Sequence, residues 1–337
     1  MPTLDQLSIS DIDNINVFDK KVWDTVLPIQ IMAQDAILQS PLVKILDSCR
    51  LDDGGNYAII NFTKRISSDA DQQIAKTDIN IEGISQIQDA YVAISRYKAW
   101  GQEQVAKDII GADLLKQVEE YSPQYWADNY QKFILNMLRG IFAGTLSSSH
   151  SIDAGTHLMS WEAIEAATSK LGDRSKSLAT VIMHSAQFSN LKQQGIVKYR
   201  DAGDLGYKIW TEGQVPSVNG LPIIVTDTVP VETVGGVTKY HAYLGGAGAI
   251  EFRNISFNNV LHWDTKAAGT DYLIQTVRIM TRVPGVKFVQ SNASNQQNPT
   301  NADFLNPACW QKVAEDSKDI PLIELVTTAE VVPFGDE

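Results

Sequence analysis

The chain has 337 residues, enough for one large core or two ordinary ones, and its 44% hydrophobic content excludes disorder for most of its length. Lys and Arg total 28 against 40 Asp and Glu, a formal charge of −12, which is the wrong balance for a surface that neutralises nucleic-acid phosphates. The only cysteines, Cys49 and Cys309, lack CxxC spacing, so a disulfide framework and a zinc knuckle are unsupported and a reducing cytoplasm fits.

Residues 1–18 are polar and acidic and read as an extended arm. Asp5, Asp11, Asp13 and Asp19 precede the first Lys, the wrong charge for a signal peptide. No apolar run approaches a membrane span in length. Between Asp19 and Leu46, short helical patterns are interrupted by Pro28 and Pro41. Trp23, Val26, Leu27 and Ile31 share one apolar face there, and Ile37, Leu38, Val43 and Ile45 follow. This segment lacks a core of its own and must lie against something else. Asp52-Asp53-Gly54-Gly55-Asn56 predicts a turn. Residues 57–66 (YAIINFTKRI) and 90–100 (AYVAISRYKAW) predict strands, separated by 23 mostly polar residues, 67–89. The reading is a long two-stranded excursion with an elaborate tip. Such a ribbon alone is marginally stable in water, so a protein that keeps one lays it on a partner. The monomer is therefore not expected to be the functional unit.

Residues 102–120 predict a helix leading into a longer one at 122–146 (SPQYWADNYQKFILNMLRGIFAGTL). Ser122 is its expected cap, Pro123 its first helical residue and Gly144 its stop. Trp126, Tyr130, Phe133, Met137 and Ile141 recur at spacings of three and four, flanked by Ile134, Leu138 and Phe142, so the apolar stripe is wide. Asp128 and Lys132 form an i,i+4 pair on the opposite face. A second layer must cover that stripe, and the alternating segment 272–288 is the candidate. Residues 147–156 read as a Ser/His/Gly loop and a domain junction. Ser160 caps a helix over 161–171, ended by Gly172-Asp173. An α/β pattern follows: a buried strand at 178–183, a helix at 186–194 with Ser185 as cap and Gly195 past its end, and strands at 221–226 and 240–244. Residues 290–301 (QSNASNQQNPTN) read as a linker. Beyond it, a short helix around Trp310 and a strand at 321–332 form an appendage.

Candidate chemistry is sparse. His184-Ser185 sits where a strand turns into a helix, but G-x-S-x-G is absent because Met183 and Gln187 hold its glycine positions; a helix cap explains Ser185. Gly245-Gly246-Ala247-Gly248 follows a strand, yet Glu251 stands where a dinucleotide fingerprint needs its third glycine, so a tight turn before a helix is expected. His150, Asp153 and His157 match no metal-site spacing and read as a solvated loop. His241 and His262 read as structural, and Asp52-Asp53 and Glu119-Glu120 as solvated charge. No residue is assigned a catalytic, cofactor-binding or metal-binding role.

The second half carries a resemblance, in Leu171-Gly172-Asp173, in Val181-Ile182-Met183-His184-Ser185 with Phe188, Leu191 and Gly195, and in residues 220–227 (GLPIIVTD), completed by Tyr243-Leu244-Gly245 through Gly248-Ala249. These are similar to the axial domain of tailed-bacteriophage major capsid proteins with the Hong Kong 97-type (HK97-like) fold. The resemblance implies an α+β fold with an N-terminal arm at 1–50, a β-hairpin E-loop at 51–100 and a peripheral domain with spine helix at 101–150 and 253–289. It places an α/β axial domain at 151–252 and leaves 290–337 as linker and C-terminal appendage. The implied function is self-assembly into hexamers and pentamers of an icosahedral head around double-stranded DNA. Copies of itself, and scaffold, portal and decoration proteins, are the implied partners; the implied location is the virion, after assembly in the host bacterial cytoplasm. Some members of the fold cross-link through a Lys–Asn bond; Lys64 and Lys76 lie in the excursion and neither is matched to such a site. The rival readings are an encapsulin-like nanocompartment shell around protein cargo and an α/β enzyme working around His184 and Gly245.

Overall fold

The computed structural model describes residues 20–63, 86–103, 114–201, 214–263 and 270–329. The first half of the chain contributes helix α1 (Lys20–Gln34), strands β1 (Val43–Ile45), β2 (Tyr57–Thr63) and β3 (Gln86–Glu103), then helices α2 (Leu114–Ala143) and α3 (Ser147–His150). The upper layer follows as β4 (Ser151–Leu158), α4 (Trp161–Ser169), β5 (Leu178–Met183), α5 (Ser185–Gln193), β6 (Lys198–Asp201), β7 (Gln214–Val218), β8 (Leu221–Val225), β9 (Val231–Val234) and β10 (Val237–Gly246). The chain then returns through β11 (Ile250–Trp263), β12 (Thr270–Arg282), β13 (Val286–Phe288), α6 (Asn301–Leu305), β14 (Trp310–Lys312) and β15 (Leu322–Thr328).

Two sheets share one helix. A five-stranded sheet runs β1-β11-β12-β3-β2, and a larger mixed sheet runs β4-β15-β10-β5-β8-β7-β6, with β9 beside β10. The apolar stripe of α2 is fully buried: Trp126, Tyr130, Phe133, Ile134, Met137, Leu138, Ile141 and Phe142 join one core with Phe252, Phe257, Val277 and Ile279 of the smaller sheet. Ile182, Ile224 and Tyr243 of the larger sheet belong to the same core. The other face of the larger sheet is covered by α4 and α5, through Ile164, Ala167 and Leu191. As expected, β12 helps to cover the spine: Trp126 Nε1 donates to Gln275 Oε1 at 2.7 Å. Leu27, Ile31, Ile37, Leu38 and Leu42 also enter this core, so residues 27–42 are packed against the body rather than free of it.

Several expectations are corrected. The spine helix starts at Leu114 and carries Pro123 inside it. Proline's fixed φ is already helical, so Pro123 removes one N–H bond and the helix runs on; Ser122, buried, is not its cap. Of the helix expected at 102–120, Gln102 and Glu103 belong to β3, residues 114–120 to α2, and 104–113 lie outside the described residues. Asp128 accepts from Gln124 Nε2 at 2.8 Å, in place of the expected pairing with Lys132. The supposed loop at 147–156 is α3 and most of β4. His184, rather than Ser185, caps α5, through a reciprocal box with Gln187. The segment 272–288 is broken by Pro284-Gly285 (φ 89° at the glycine) into β12 and β13. No helix follows the glycine run: Gly245 and Gly246 end β10, and β11 begins at Ile250. A Cβ on Gly245 would lie 2.0 Å from Leu42 Cδ1, so close packing explains that residue.

The largest correction is the tail. β15 is an interior strand between β4 and β10, buried at all seven positions. The helix expected around Trp310 is a 3-10 turn (Pro307–Cys309) followed by β14, which pairs with β13. Phe304, Cys309, Trp310 and Ile320 lie in the main core. The Asn/Gln stretch is held in place as well: Asn298 Oδ1 accepts from Ser95 N (3.1 Å) and Arg96 Nη1 (2.9 Å), and its Nδ2 donates to Ser95 O (3.0 Å). The acidic arm at 1–18, Lys64, Lys76 and most of the excursion's tip lie outside the described residues.

Candidate functional site

Three features of the fold bear on function: a ribbon that leaves the smaller sheet, a charged joint between spine helix and larger sheet, and the strand end at His184. The ribbon follows from the length of β3. Its first half pairs with β2, from Tyr57 opposite Val92 to Thr63 opposite Gln86. Its second half pairs with β12, from Met280 opposite Ala93 to Thr270 opposite Glu103. Past the handover at Val92 and Ala93, the described parts of β2 and β3 pair only with each other. Where β2 has ended, Asn56 O accepts from Ala93 N (2.9 Å) and the Asn298 amide fills the next rung at Ser95.

A buried ionic cluster fastens the ribbon's base. Asp89 of β3 is 1% exposed, with Oδ2 3.4 Å from Arg282 Nη1 and Oδ1 accepting from Ala90 N at 2.7 Å. Arg282 Nε donates to Glu251 Oε2 at 2.6 Å, and its guanidinium lies 5.2 Å from the centre of the Tyr91 ring. Burial raises the Asp89 carboxyl above its ordinary range, and the Arg282 charge opposes it. Removing either partner strands a buried charge, so the cluster fixes where the ribbon departs.

The joint is built from facing residues of α2 and the larger sheet. Arg139 of the spine pairs with Glu232 of β9 and lies 3.7 Å from Glu324 of β15. His241 of β10 places Nδ1 2.9 Å from Glu324 Oε1, and Ser151 Oγ donates to Glu324 Oε2 at 2.8 Å. Beside them Tyr243 stacks on Phe142 at 5.7 Å between ring centres, and burial raises its hydroxyl pKa. None of Asp89, Arg282, Arg139 or Glu324 stood out in the sequence. Each is a lone charge within an apolar or alternating run, and only tertiary pairing exposes its role. His241, read as structural, is a member of the joint.

The strand end at His184 resembles a hydrolase corner only in outline. His184 Nδ1 accepts from Ala186 N at 3.1 Å, which occupies its lone pair and leaves the ring hydrogen on Nε2, 3.6 Å from Asp227 Oδ1. Ser185 Oγ stands 3.4 Å from that occupied Nδ1, so the imidazole is not oriented to take its proton. His150 and Asp153 do not converge either: His150 Nδ1 meets Ser149 Oγ at 2.7 Å, while Asp153 pairs with Lys239. Among the described residues no three His, Cys, Asp or Glu side chains gather as a metal site would require, and no helix is long and apolar enough to cross a membrane.

The family described as Gp13-like, major capsid protein 13-like, matches residues 54–321. The major capsid protein of Bacillus phage SPP1 is 28% identical over 271 residues, 78% of this chain and 82% of that protein. Among solved structures, the capsid of Ralstonia phage GP4 is similar at a TM-score of 0.61 and 11% identity, over 90% of this chain and 93% of that one. The holo-SrpI encapsulin complex from Synechococcus elongatus PCC 7942 is similar at 0.52 and 9% identity, over 88% and 87%. Likenesses at such low identity speak to the fold. The family match takes in the ribbon, the spine helix and nearly all of both sheets, and so the chain belongs to the Gp13-like major capsid proteins: it is a structural protein of the phage virion, with the HK97-like fold, and not an enzyme.

Proposed function

We propose that copies of this chain assemble into hexamers and pentamers, and these into an icosahedral head that encloses double-stranded DNA. The observation that carries the reading is the ribbon: β2 and the first half of β3 extend past the sheet with only each other as described strand partners. A two-stranded ribbon gains stability when a neighbour lies beneath it, and a second copy supplies that surface. In this reading the ribbon is the E-loop, the small sheet with α2 is the peripheral domain, and the larger sheet with α4 and α5 is the axial domain at the capsomer centre. The strand β15 joins the axial part, in place of a separate appendage. A charge of −12 suits a container that does not grip its contents. Assembly takes place in the host bacterial cytoplasm, with scaffold, portal and decoration proteins as further partners.

Electron microscopy of the expressed protein tests this: closed shells are expected when scaffold and portal are co-expressed. A strictly monomeric product under those conditions overturns it. The similarity to the SrpI encapsulin supports a second reading, a nanocompartment around protein cargo. Nuclease-protected DNA in particles purified from infected cells excludes that alternative.

A further inference from the structure

We propose that the free edge of β11 is a two-fold contact between copies: the same strand of a second chain adds to it antiparallel and joins two five-stranded sheets into one. β1 covers only the start of β11, from Val43 opposite Ile250 to Ile45 opposite Phe252, and Leu46 N donates to Phe252 O (2.9 Å) where that cover ends. β12 pairs with β11 on the other side along nearly its whole length, from Arg282 opposite Glu251 to Asp271 opposite Trp263. In an antiparallel sheet the backbone N–H and C=O groups point alternately to the two sides of a strand. Past Phe252, those on the side away from β12 have no strand to meet among the described residues. Helix α1 reaches β11 from the spine side, where Leu27 and Ile31 share a core with Phe252, while Asn258 and Val260 are exposed.

A free edge invites stray pairing, and proteins guard theirs with charge, proline or a covering group. Among the described edge strands, this one alone is unguarded. β1 carries Lys44, β4 Asp153, β6 Lys198, β9 Glu232, β13 Lys287 and β14 Lys312. β2 has no charge of its own, but Arg50 Nη1 donates to its Ile59 O at 2.8 Å. Residues 254–260 (NISFNNV) hold no Lys, Arg, Asp, Glu or Pro, and their one irregularity is the bulge between Asn254 and Ser256. The missing charge also selects the occupant. Across a two-fold axis a strand faces itself, so any charge near the axis meets its own copy, and like charges directly opposite destabilise a sheet. An uncharged edge avoids that conflict in every register. The chain belongs to a family of capsid proteins, so what surrounds it in the virion is further copies of itself. The ribbon leaves the opposite side of the same sheet and makes a head-to-tail contact, the kind that closes rings. A two-fold contact at β11 ties one ring to the next.

Dipolar electron spin resonance of the full-length chain tests the contact, with Cys49→Ser and a nitroxide attached through Asn258→Cys or Tyr97→Cys; Cys309 is buried and stays unlabelled. Tyr97 is exposed and lies on β3 directly across β12 from Asn258, both facing Thr276. In the joined sheets the two Asn258 labels sit on adjacent strands, within about 20 Å of each other, and the two Tyr97 labels lie four strand spacings further apart, about 20 Å longer. Val260→Lys, at an exposed position the fold tolerates, brings two like charges to the shared edge and is expected to cut the short-distance population several-fold. Equal distances from the two labels, no distance between chains from either, or a short distance indifferent to Val260→Lys overturns the proposal. Closed shells that lack the short distance would overturn this contact and leave the proposed assembly standing.

Discussion

At the scale of single residues, Asp35 shows how a side chain with no sequence signature can govern stability. It follows α1 directly, and Oδ1 accepts from Ile37 N (2.9 Å) and Leu38 N (3.1 Å), fixing the turn into the core. Oδ2 is buried without a hydrogen-bond partner, as is the Tyr130 hydroxyl. Burial pushes the carboxyl up to about 7, against the pull of the two backbone N–H groups and Gln131. A raised folded value means that the protonated acid is the form the fold prefers. The stability it contributes is present below the unfolded value of 3.8 and is lost as pH rises through about 7. Asp35→Asn keeps the shape and the acceptor and removes the charge. It is expected to raise stability at pH 8 by at most about 4 kcal/mol, three pKa units of linkage, with no gain at pH 4. Urea unfolding of both proteins across that range checks it; equal midpoints at pH 8 would show that Asp35 is solvated. The sequence could not mark this residue. A lone Asp after a helical pattern looks like an exposed cap, and only Ile37 and Leu38 beside it hinted that the turn was buried.

At the scale of elements, the spine helix was legible because its stripe is wide and regular, while its start was not. Ser122-Pro123 carries the local chemistry of a helix beginning, and nothing local distinguishes a beginning from a proline that a continuing helix tolerates. Gly140 in the same helix shows what the helix packs against. A Cβ there would lie 2.0 Å from the Phe304 carbonyl oxygen and 2.7 Å from Trp310 Nε1, which donates to that oxygen at 2.9 Å. Backbone cannot give way as a side-chain tip does. Gly140→Ala, ordinarily favourable inside a helix, is therefore expected to destabilise by about 3 kcal/mol and to lower the thermal midpoint of the isolated chain. An unchanged or raised midpoint would mean that the tail is not seated there. The β2–β3 hairpin was legible from its β-branched and aromatic runs, but its fusion to β12 was not, because that pairing joins residues about 180 positions apart.

At the scale of the whole molecule, the last described strand completes a sheet begun much earlier. β15 pairs in parallel with β4 and antiparallel with β10, so removing it separates β4 from the rest of the larger sheet. A chain ended after residue 321 is expected to be insoluble, or to lose cooperative unfolding by circular dichroism. Soluble, cooperatively folded product would restore the view of the tail as an appendage. That view failed for a physical reason. A seven-residue apolar strand behind a polar stretch cannot fold alone, and the sequence does not say that the slot awaiting it lies between strands that precede it. The candidate joint was invisible for the same reason, since Arg139, His241 and Glu324 meet only when that slot is filled.

The partner exchange along β3 also determines how the molecule carries load. A pull on the ribbon along its own axis does not peel one rung at a time from the sheet. It is a shear, shared among the eleven residue pairs that β3 makes with β12, with the Asp89–Arg282 ion pair as a pin at the point of entry. Tension of that kind passes into the strands beneath the spine helix before any rung breaks. In a wall of such tiles, neighbours that tug on one another's ribbons strain the rigid centre of each tile rather than its rim.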